Sequence, residues 1–350
     1  MPGPTDGDTT IAFAGAGLIT AVHGLAVQAT AGLRATRVAS RTFANATKRA
    51  EGMGAEPCTY AELPAGADIV FVTTPPGRHV LDAMAALQAG AKVIVEKPLA
   101  TTLADADRLV DAAAPGGRVA YAENLAYAPV VVEAIERIGG LGAIHHLELQ
   151  MLQSRPHWGD FLTASWGGGV LFDLGVHPIA VALLLAAPAR PVEVTARLDG
   201  ADDIDVDEHA DLTIVFDSGL RAHLTTSWRQ PRDDSLWDLQ AASGTGVLRV
   251  ELAPNFALEV DGEPVALPAE RDDLPSPLLE RMGYTGQLEA FTDAFAAGRD
   301  PAMSAAFGRE VLDLVCAAYT SAGRAGAPEA LPFQGDRTRT PLQLWRSTAD

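Results

Sequence analysis

Three side chains in this 350-residue sequence stand where they could do chemistry: Lys97, Asp173 and His177. Lys97 lies in Glu96-Lys97-Pro98, directly after the apolar run AKVIV. That puts an ammonium at the carboxyl end of a strand, the edge of an open parallel sheet where ligands bind. Asp173 and His177 belong to GGGVLFDLGVHP (167–178), and their spacing places both on one face if the segment is helical. Gly175 and Pro178 argue against a long regular helix there. Together the three groups suit the oxidation of an alcohol or its reverse. Imidazole, with a reference pKa of about 6.5, exchanges a hydroxyl proton near neutrality. A neighbouring ammonium stabilises alkoxide charge, and a carboxylate adds polarity and orientation. Singly, each has an ordinary reading as a strand-end lysine, a helix cap or a satisfied core histidine, so the joint occurrence carries the weight. A metal is not expected: His157, His209 and His223 could join Asp173 and His177, but no H-E-x-x-H or C-x-x-C spacing occurs.

The cofactor is legible near the start. TTIAFAG runs into Gly15-Ala16-Gly17-Leu18-Ile19-Thr20 and then a helix-like stretch to Thr30, the strand, tight turn and helix of a βα unit. Glycines at this turn let a pyrophosphate approach the helix N-terminus, whose free N–H groups and dipole favour an anion. Thr20 stands where Gly or Ala is usual and is expected to loosen helix–strand packing slightly. A carboxylate about 20 residues onward would hold a ribose 2′-OH. Instead, residues 9–50 contain Arg34, Arg37, Arg41, Lys48 and Arg49 and no Asp or Glu. Ser40 and Arg41 fall at the second strand's end, where a hydroxyl and a guanidinium fork can hold a 2′-phosphate. NADP(H) is therefore expected in preference to NAD(H), with NAD(H) use still open. The set Gly15, Gly17, Leu18, Ile19, Ser40, Arg41, Thr73, Thr74, Pro75, His79, Glu96 and Lys97 is expected to line the cofactor.

The elements that must position these groups follow from the pattern. Short apolar strands at 36–40, 67–72, 91–96 and 117–122 alternate with helices near 43–53, 77–89 and 102–114, the reading of a parallel sheet covered on both faces. After about Ala126 the grammar changes. A helix near 129–138 precedes longer alternating strands at 144–152, 191–198, 210–216, 220–228 and 246–252, which suit a mostly antiparallel sheet with one covered face. Helices over 287–298 and 307–323 close the chain. The organisation expected is a disordered tail (1–8), a dinucleotide-binding domain (9–126) and an α/β substrate-binding domain (127–350).

A formal charge of −19 makes nucleic acid or an anionic membrane an unsuitable partner. Two cysteines cannot make a disulfide framework, and MPGPTDGDTT lacks a basic leader. A cytoplasmic location is expected, with no membrane span.

With these motifs in hand, the chain resembles the Gfo/Idh/MocA oxidoreductases, which include glucose–fructose oxidoreductase, inositol dehydrogenases and dimeric dihydrodiol dehydrogenases. The resemblance runs through GAGLITAVH (15–23), VEKPLA (95–100), AENLAYAP (122–129), GGGVLFDLGVHP and GYTGQLEAF (283–291). It implies an N-terminal Rossmann domain, and a C-terminal α/β domain that covers the active site and, through its open sheet, mediates a homodimer or homotetramer. It further implies that Lys97 orients the substrate, Asp173 binds it and His177 is the acid–base. Asn124, Tyr127 and Tyr284 would be substrate contacts. Arg155, His157, Trp158 and Trp166 precede the glycine motif and could close over a polar, ring-shaped substrate. The expected activity is NADP(H)-dependent interconversion of alcohol and ketone on a sugar, cyclitol or related molecule. Two alternatives are a glycoside hydrolase that retains its nicotinamide and a dinucleotide-sensing regulator without turnover.

Overall fold

The computed structural model describes residues 7–113, 116–232 and 234–347. Of the expected tail, only Gly7 and Asp8 fall within the described residues. The chain divides into two compact units.

The first unit is built on a six-stranded sheet in the order β3-β2-β1-β4-β5-β6, every pairing parallel. In chain order it comprises β1 (Thr9–Ala14), α1 (Leu18–Ala29), β2 (Leu33–Ala39), α2 (Phe43–Glu51), β3 (Glu56–Cys58) and β4 (Ile69–Val72). There follow α3 (His79–Gln88), β5 (Lys92–Glu96), α4 (Leu103–Ala113) and β6 (Val119–Ala122). All four residues of IVFV in β4 and of VAYA in β6 are buried, the consequence of helices on both faces. Strand order reverses between β1 and β4, and that switch point is where a doubly wound sheet opens a crevice for a dinucleotide.

The second unit takes Thr101–Ala104, at the start of α4, and then α5 (Pro129–Ile138), β7 (Ile144–Leu152), α6 (Val170–Asp173) and α7 (Val176–Ala186). Its remaining strands are β8 (Pro191–Gly200), β9 (Asp207–Phe216), β10 (Arg221–Ser227), β11 (Leu236–Ser243), β12 (Val247–Ala253), β13 (Ala257–Val260) and β14 (Glu263–Pro264). The next two helices, α8 (Leu278–Arg281) and α9 (Tyr284–Ala296), belong to the first unit, and α10 (Ala305–Gly323), β15 (Glu329–Ala330) and α11 (Pro341–Arg346) close the chain. The nine-stranded sheet runs β14-β13-β12-β11-β7-β10-β9-β8-β15 and is antiparallel except where β7 pairs with β10. Alternation is plain in β10, where Ala222, Leu224 and Thr226 are buried and Arg221 and His223 exposed. α7 (VHPIAVALLLA) is buried nearly all round and packs on β7 and β10. Among the described residues no single helix is long and apolar enough to cross a membrane.

Two expectations need correction. The second domain was expected to run unbroken from 127 to 350, yet Glu270–Arg309 packs with the first unit, which otherwise consists of the chain up to Ala100 and Asp105–Tyr127. The cause is the apolar face of α9. Leu288, Phe291 and Phe295 are buried, and Tyr127 meets Phe291 edge-on at 5.4 Å. The short strands β3, β13, β14 and β15 and the longer β11 are absent from the sequence reading; in β11, Asp238 and Gln240 on one face and the small Ala241 on the other give a weak alternating signal.

Candidate active site

Around the glycine turn, Gly15 has φ +125°, and a Cβ there would lie 2.6 Å from both Thr73 O and Thr73 Oγ1. Only glycine fits so close a backbone approach. Gly17, in contrast, has open space around it and caps α1 with no capping side chain; the first turn holds no acidic residue. Its end N–H groups and dipole are thus presented to an anion. Thr20 does not loosen the turn, as its residue type suggested. It is fully buried with Oγ1 2.9 Å from Thr73 Oγ1. Since the Thr73 hydroxyl donates to Ala14 O at 3.1 Å, the Thr20 hydroxyl is the donor of that pair, and the bond ties α1 to the end of β4.

At the end of β2, Ser40 is half-buried and Arg41 exposed. The Arg78 guanidinium lies 4.9 Å over the Tyr60 ring and binds both oxygens of Asp82, at 3.2 and 2.6 Å. Thr74 Oγ1 donates to the same carboxylate at 2.9 Å. Pro75 is exposed just beyond. His79 is 1% exposed, with Nε2 2.7 Å from Thr74 O and Nδ1 2.8 Å from Pro98 O. Burial pushes its imidazole below the ordinary histidine value, although both carbonyls favour the protonated ring. His79, expected to line the cofactor, pins the chain after β4 to the chain after β5.

Glu96 is likewise engaged inside the unit. Its Oε1 lies 2.5 Å from Nε2 of the fully buried His23, and its Oε2 accepts the Lys97 backbone N–H at 3.0 Å. Burial alone would raise the Glu96 carboxyl, but the hydrogen bond and charge of His23, with Lys97 beyond, hold it below the usual range. His23 was missed in the sequence, although it ends the stretch GAGLITAVH. Its ring sits 4.1 Å from Phe71 and 5.4 Å edge-on from Tyr284. Asn124 donates to Met282 O at 2.7 Å, and burial pushes the Tyr127 phenol up to about 12. The first unit thus gathers Asn124, Tyr127 and Tyr284 around α9, with Tyr284 against the His23 ring.

In the second unit, Asp173 and His177 occupy two short helices, not one. Asp173 ends α6 and His177 is the second residue of α7. Leu174 and Gly175 join them, with Gly175 N–H donating to Val170 O at 3.0 Å and His177 N–H to Leu174 O at 3.2 Å. Both side chains are buried, at 8% and 6% exposure, and the His177 ring lies 6.4 Å from Trp237. A Cβ at Gly175 would stand 2.6 Å from Leu171 O, and one at Gly169 only 2.1 Å from Asp207 O, which accounts for the glycines of the motif.

The expected substrate loop is more heavily tied than its composition suggested. Arg155 binds Asp203 at 2.6 Å through Nη1 and Glu208 at 3.0 Å through Nε, while Arg229 takes the other Glu208 oxygen at 3.1 Å. These bonds make Arg155 a structural anchor for the loop. His157 meets Trp158 edge-on at 4.7 Å, and Trp166 packs on Phe161 at 4.1 Å. Trp158 is 41% exposed.

The doubly wound sheet and its glycine turn define a dinucleotide-binding protein with a second, sheet-based unit. Residues 9–124 match the model of the Gfo/Idh/MocA oxidoreductase family, described as an NAD-binding Rossmann fold, and residues 132–246 match that family's C-terminal domain. The chain is 30% identical to a putative UDP-kanosamine synthase oxidoreductase subunit of Amycolatopsis mediterranei, over 76% of this chain and 81% of that protein. It is 26% identical to an NADP(+)-dependent D-xylose 1-dehydrogenase of Haloferax volcanii, over 84% and 91%. Among solved structures, GenD2 from gentamicin A biosynthesis in complex with NAD superposes with a TM-score of 0.82 over 95% of this chain and 99% of that one, at 24% identity. The chain belongs to the Gfo/Idh/MocA family and is an NAD(P)-dependent oxidoreductase.

Proposed function

We propose that this enzyme interconverts a secondary alcohol and a ketone on a sugar, cyclitol or related polyhydroxylated molecule with NADP(H), His177 serving as acid–base. The observation that carries the reading is the burial of Asp173 and His177 on a backbone fixed by internal hydrogen bonds and obligatory glycines. A buried imidazole so held is suited to a repeated, directed proton exchange. Relatives named for UDP-N-acetylglucosamine, D-xylose and D-glucosides support the substrate class.

The first unit fits a dinucleotide. The crowding at Gly15 and the open space at Gly17 leave backbone, not side chain, at the end of α1, and Arg41 stands exposed at the end of β2 for a 2′-phosphate. A bound nicotinamide supplies the hydride acceptor or donor. His177 takes the hydroxyl proton as an alcohol is oxidised and returns it in reduction. In this reading the Lys97 ammonium stabilises negative charge on the reacting oxygen, and Asp173 binds a substrate hydroxyl.

A panel of sugars, inositols and keto-sugars with NADP⁺ and NADPH, followed at the nicotinamide absorbance, tests the reading. Stoichiometric cofactor change with at least one member is expected, and His177→Ala is expected to lower that turnover at least ~100-fold with little change in NADPH affinity. Aglycone release from glycosides with only trace cofactor, or undiminished turnover in His177→Ala, would overturn it.

A further inference from the structure

The second unit contains a buried carboxylate that none of the proposed chemistry uses. Asp207, at the start of β9, is completely buried. Its Oδ1 accepts the Gly169 N–H at 2.9 Å and the Tyr319 hydroxyl of α10 at 2.5 Å; its Oδ2 accepts the Leu171 N–H at 2.9 Å. The Tyr319 oxygen, its proton committed to Asp207, also accepts the Gly169 N–H at 3.0 Å. Gly169 and Leu171 flank the first residue of α6, and amides there have no partner within the helix. Asp207 and Tyr319 supply those partners from two distant parts of the chain.

The bonds lead directly to the functional pair. Gly169 O accepts the Asp173 N–H at 2.9 Å, Val170 O accepts the N–H groups of Leu174 and Gly175 at 2.8 and 3.0 Å, and Leu174 O accepts that of His177. A shift of α6 at its origin is therefore passed through one turn to Asp173 and through the next to His177. Packing forbids slack. A Cβ at Gly168 would lie 2.9 Å from the Tyr319 oxygen, and one at Gly169 would strike the Asp207 carbonyl. A fully buried carboxylate with three donors is an unusual device for starting a helix of only four residues. Asp, Asn or Ser at the cap itself would satisfy such amides more simply, but here the cap is Gly169, which leaves the job to Asp207.

We propose that Asp207 and Tyr319 are positioning residues for the reaction, holding the α6–α7 turn so that Asp173 and His177 present their side chains in one fixed geometry. The proposal rests on the assignment of His177 as acid–base. Tyr319→Phe removes one hydroxyl and leaves the ring in its packed place, and Asp207→Asn keeps the shape while turning an acceptor of an amide N–H into a donor.

The test measures five quantities on the full-length variants: kcat and KM for the member of the sugar, inositol and keto-sugar panel that turns over fastest, NADPH affinity by fluorescence, amide exchange over 168–178, and the imidazole titration of His177 by NMR. Misplacement of a reacting group by a fraction of an ångström to an ångström costs on the order of 10- to 100-fold. In Tyr319→Phe, kcat is expected to fall by about 10-fold, with KM and NADPH affinity little changed, faster exchange over 168–178 and a displaced His177 titration; Asp207→Asn is expected to show the same pattern more strongly. Wild-type kcat with an unmoved His177 titration in a folded Tyr319→Phe would overturn the proposal, as would an equal loss of kcat, KM and cofactor affinity. His177→Ala, run in parallel, separates the two claims. If it keeps full turnover the acid–base assignment fails, whereas if it is inactive while Tyr319→Phe is normal, the positioning claim alone fails.

Discussion

Gly17, in the turn before α1, and Gly169, in the segment before α6, sit in similar glycine-rich stretches and are there for opposite reasons. At Gly17 nothing stands within 4 Å of an added Cβ, whereas at Gly169 the Asp207 carbonyl would stand 2.1 Å away. One glycine keeps space for something that arrives, and the other lets the protein close on itself. The surroundings differ accordingly. Gly17 sits in a strand–turn–helix written in consecutive residues, while Gly169 depends on Asp207 and Tyr319, far along the chain. A glycine motif by itself therefore does not say whether the missing side chain makes room for a ligand or for the protein's own backbone; the space around each glycine does.

The sharpest way to break this contrast is a pair of alanine substitutions. Gly169→Ala is expected to cost about 3 kcal/mol or more of stability, since a backbone carbonyl in a buried strand cannot yield; thermal unfolding reads it. Gly17→Ala is expected to unfold within about 0.5 kcal/mol of wild type while losing dinucleotide affinity, measured by fluorescence titration. Equal stability losses at the two positions would erase the distinction. Arg41→Ala comes next: NADPH is expected to weaken by about 1–3 kcal/mol and NADH far less, because only the former offers a phosphate to the guanidinium. Equal weakening of both would remove Arg41 from cofactor choice.

The smallest expected effect is a difference in pH response. His79 is held below its ordinary value of 6.5 by burial, so its contribution to stability is complete above about pH 6.5 and is lost as pH falls toward its lower folded value. Burial raises Asp207, outweighing its bonds to Leu171, Tyr319 and Gly169. Its contribution is therefore present below the ordinary carboxylate value and lost as pH rises through the raised one. Between pH 7.5 and 5.5, amides of residues 73–82 should lose exchange protection, corrected for intrinsic rates, while those of 168–175 should not. Parallel losses in both segments would contradict the assignment.

What the sequence made legible was local. The βα units, the Gly15 turn, Arg41 and the Lys97 strand end follow from consecutive residues, and the structure places them where the pattern put them. Non-local partners escaped. Thr20 resembled a packing defect because its partner Thr73 lies elsewhere in the chain. Arg155 seemed available for substrate because Asp203 and Glu208 are likewise distant. Asp207 was hidden for a subtler reason. The alternation of β9 buries Ala210, Leu212, Ile214 and Phe216, which assigns Glu208 to the inner face and Asp207 to the outer. A register irregularity opposite, between Asp199 and Gly200, breaks that rule at the strand's first residues. That irregularity belongs to the pairing of two strands and leaves no mark in the local sequence around Asp207.

The return of Glu270–Arg309 to the first unit bears on how the protein is made. When a ribosome has completed β6, all six parallel strands exist, yet α9, whose Tyr284 ring meets His23, has not been synthesised. The nascent sheet must wait, with the α1 surface uncovered, through the whole of β7–β14. A gene cut at residue 126 yields an unfinished body, and a faithful excision of the nucleotide-binding half would have to splice the 270–309 stretch back in.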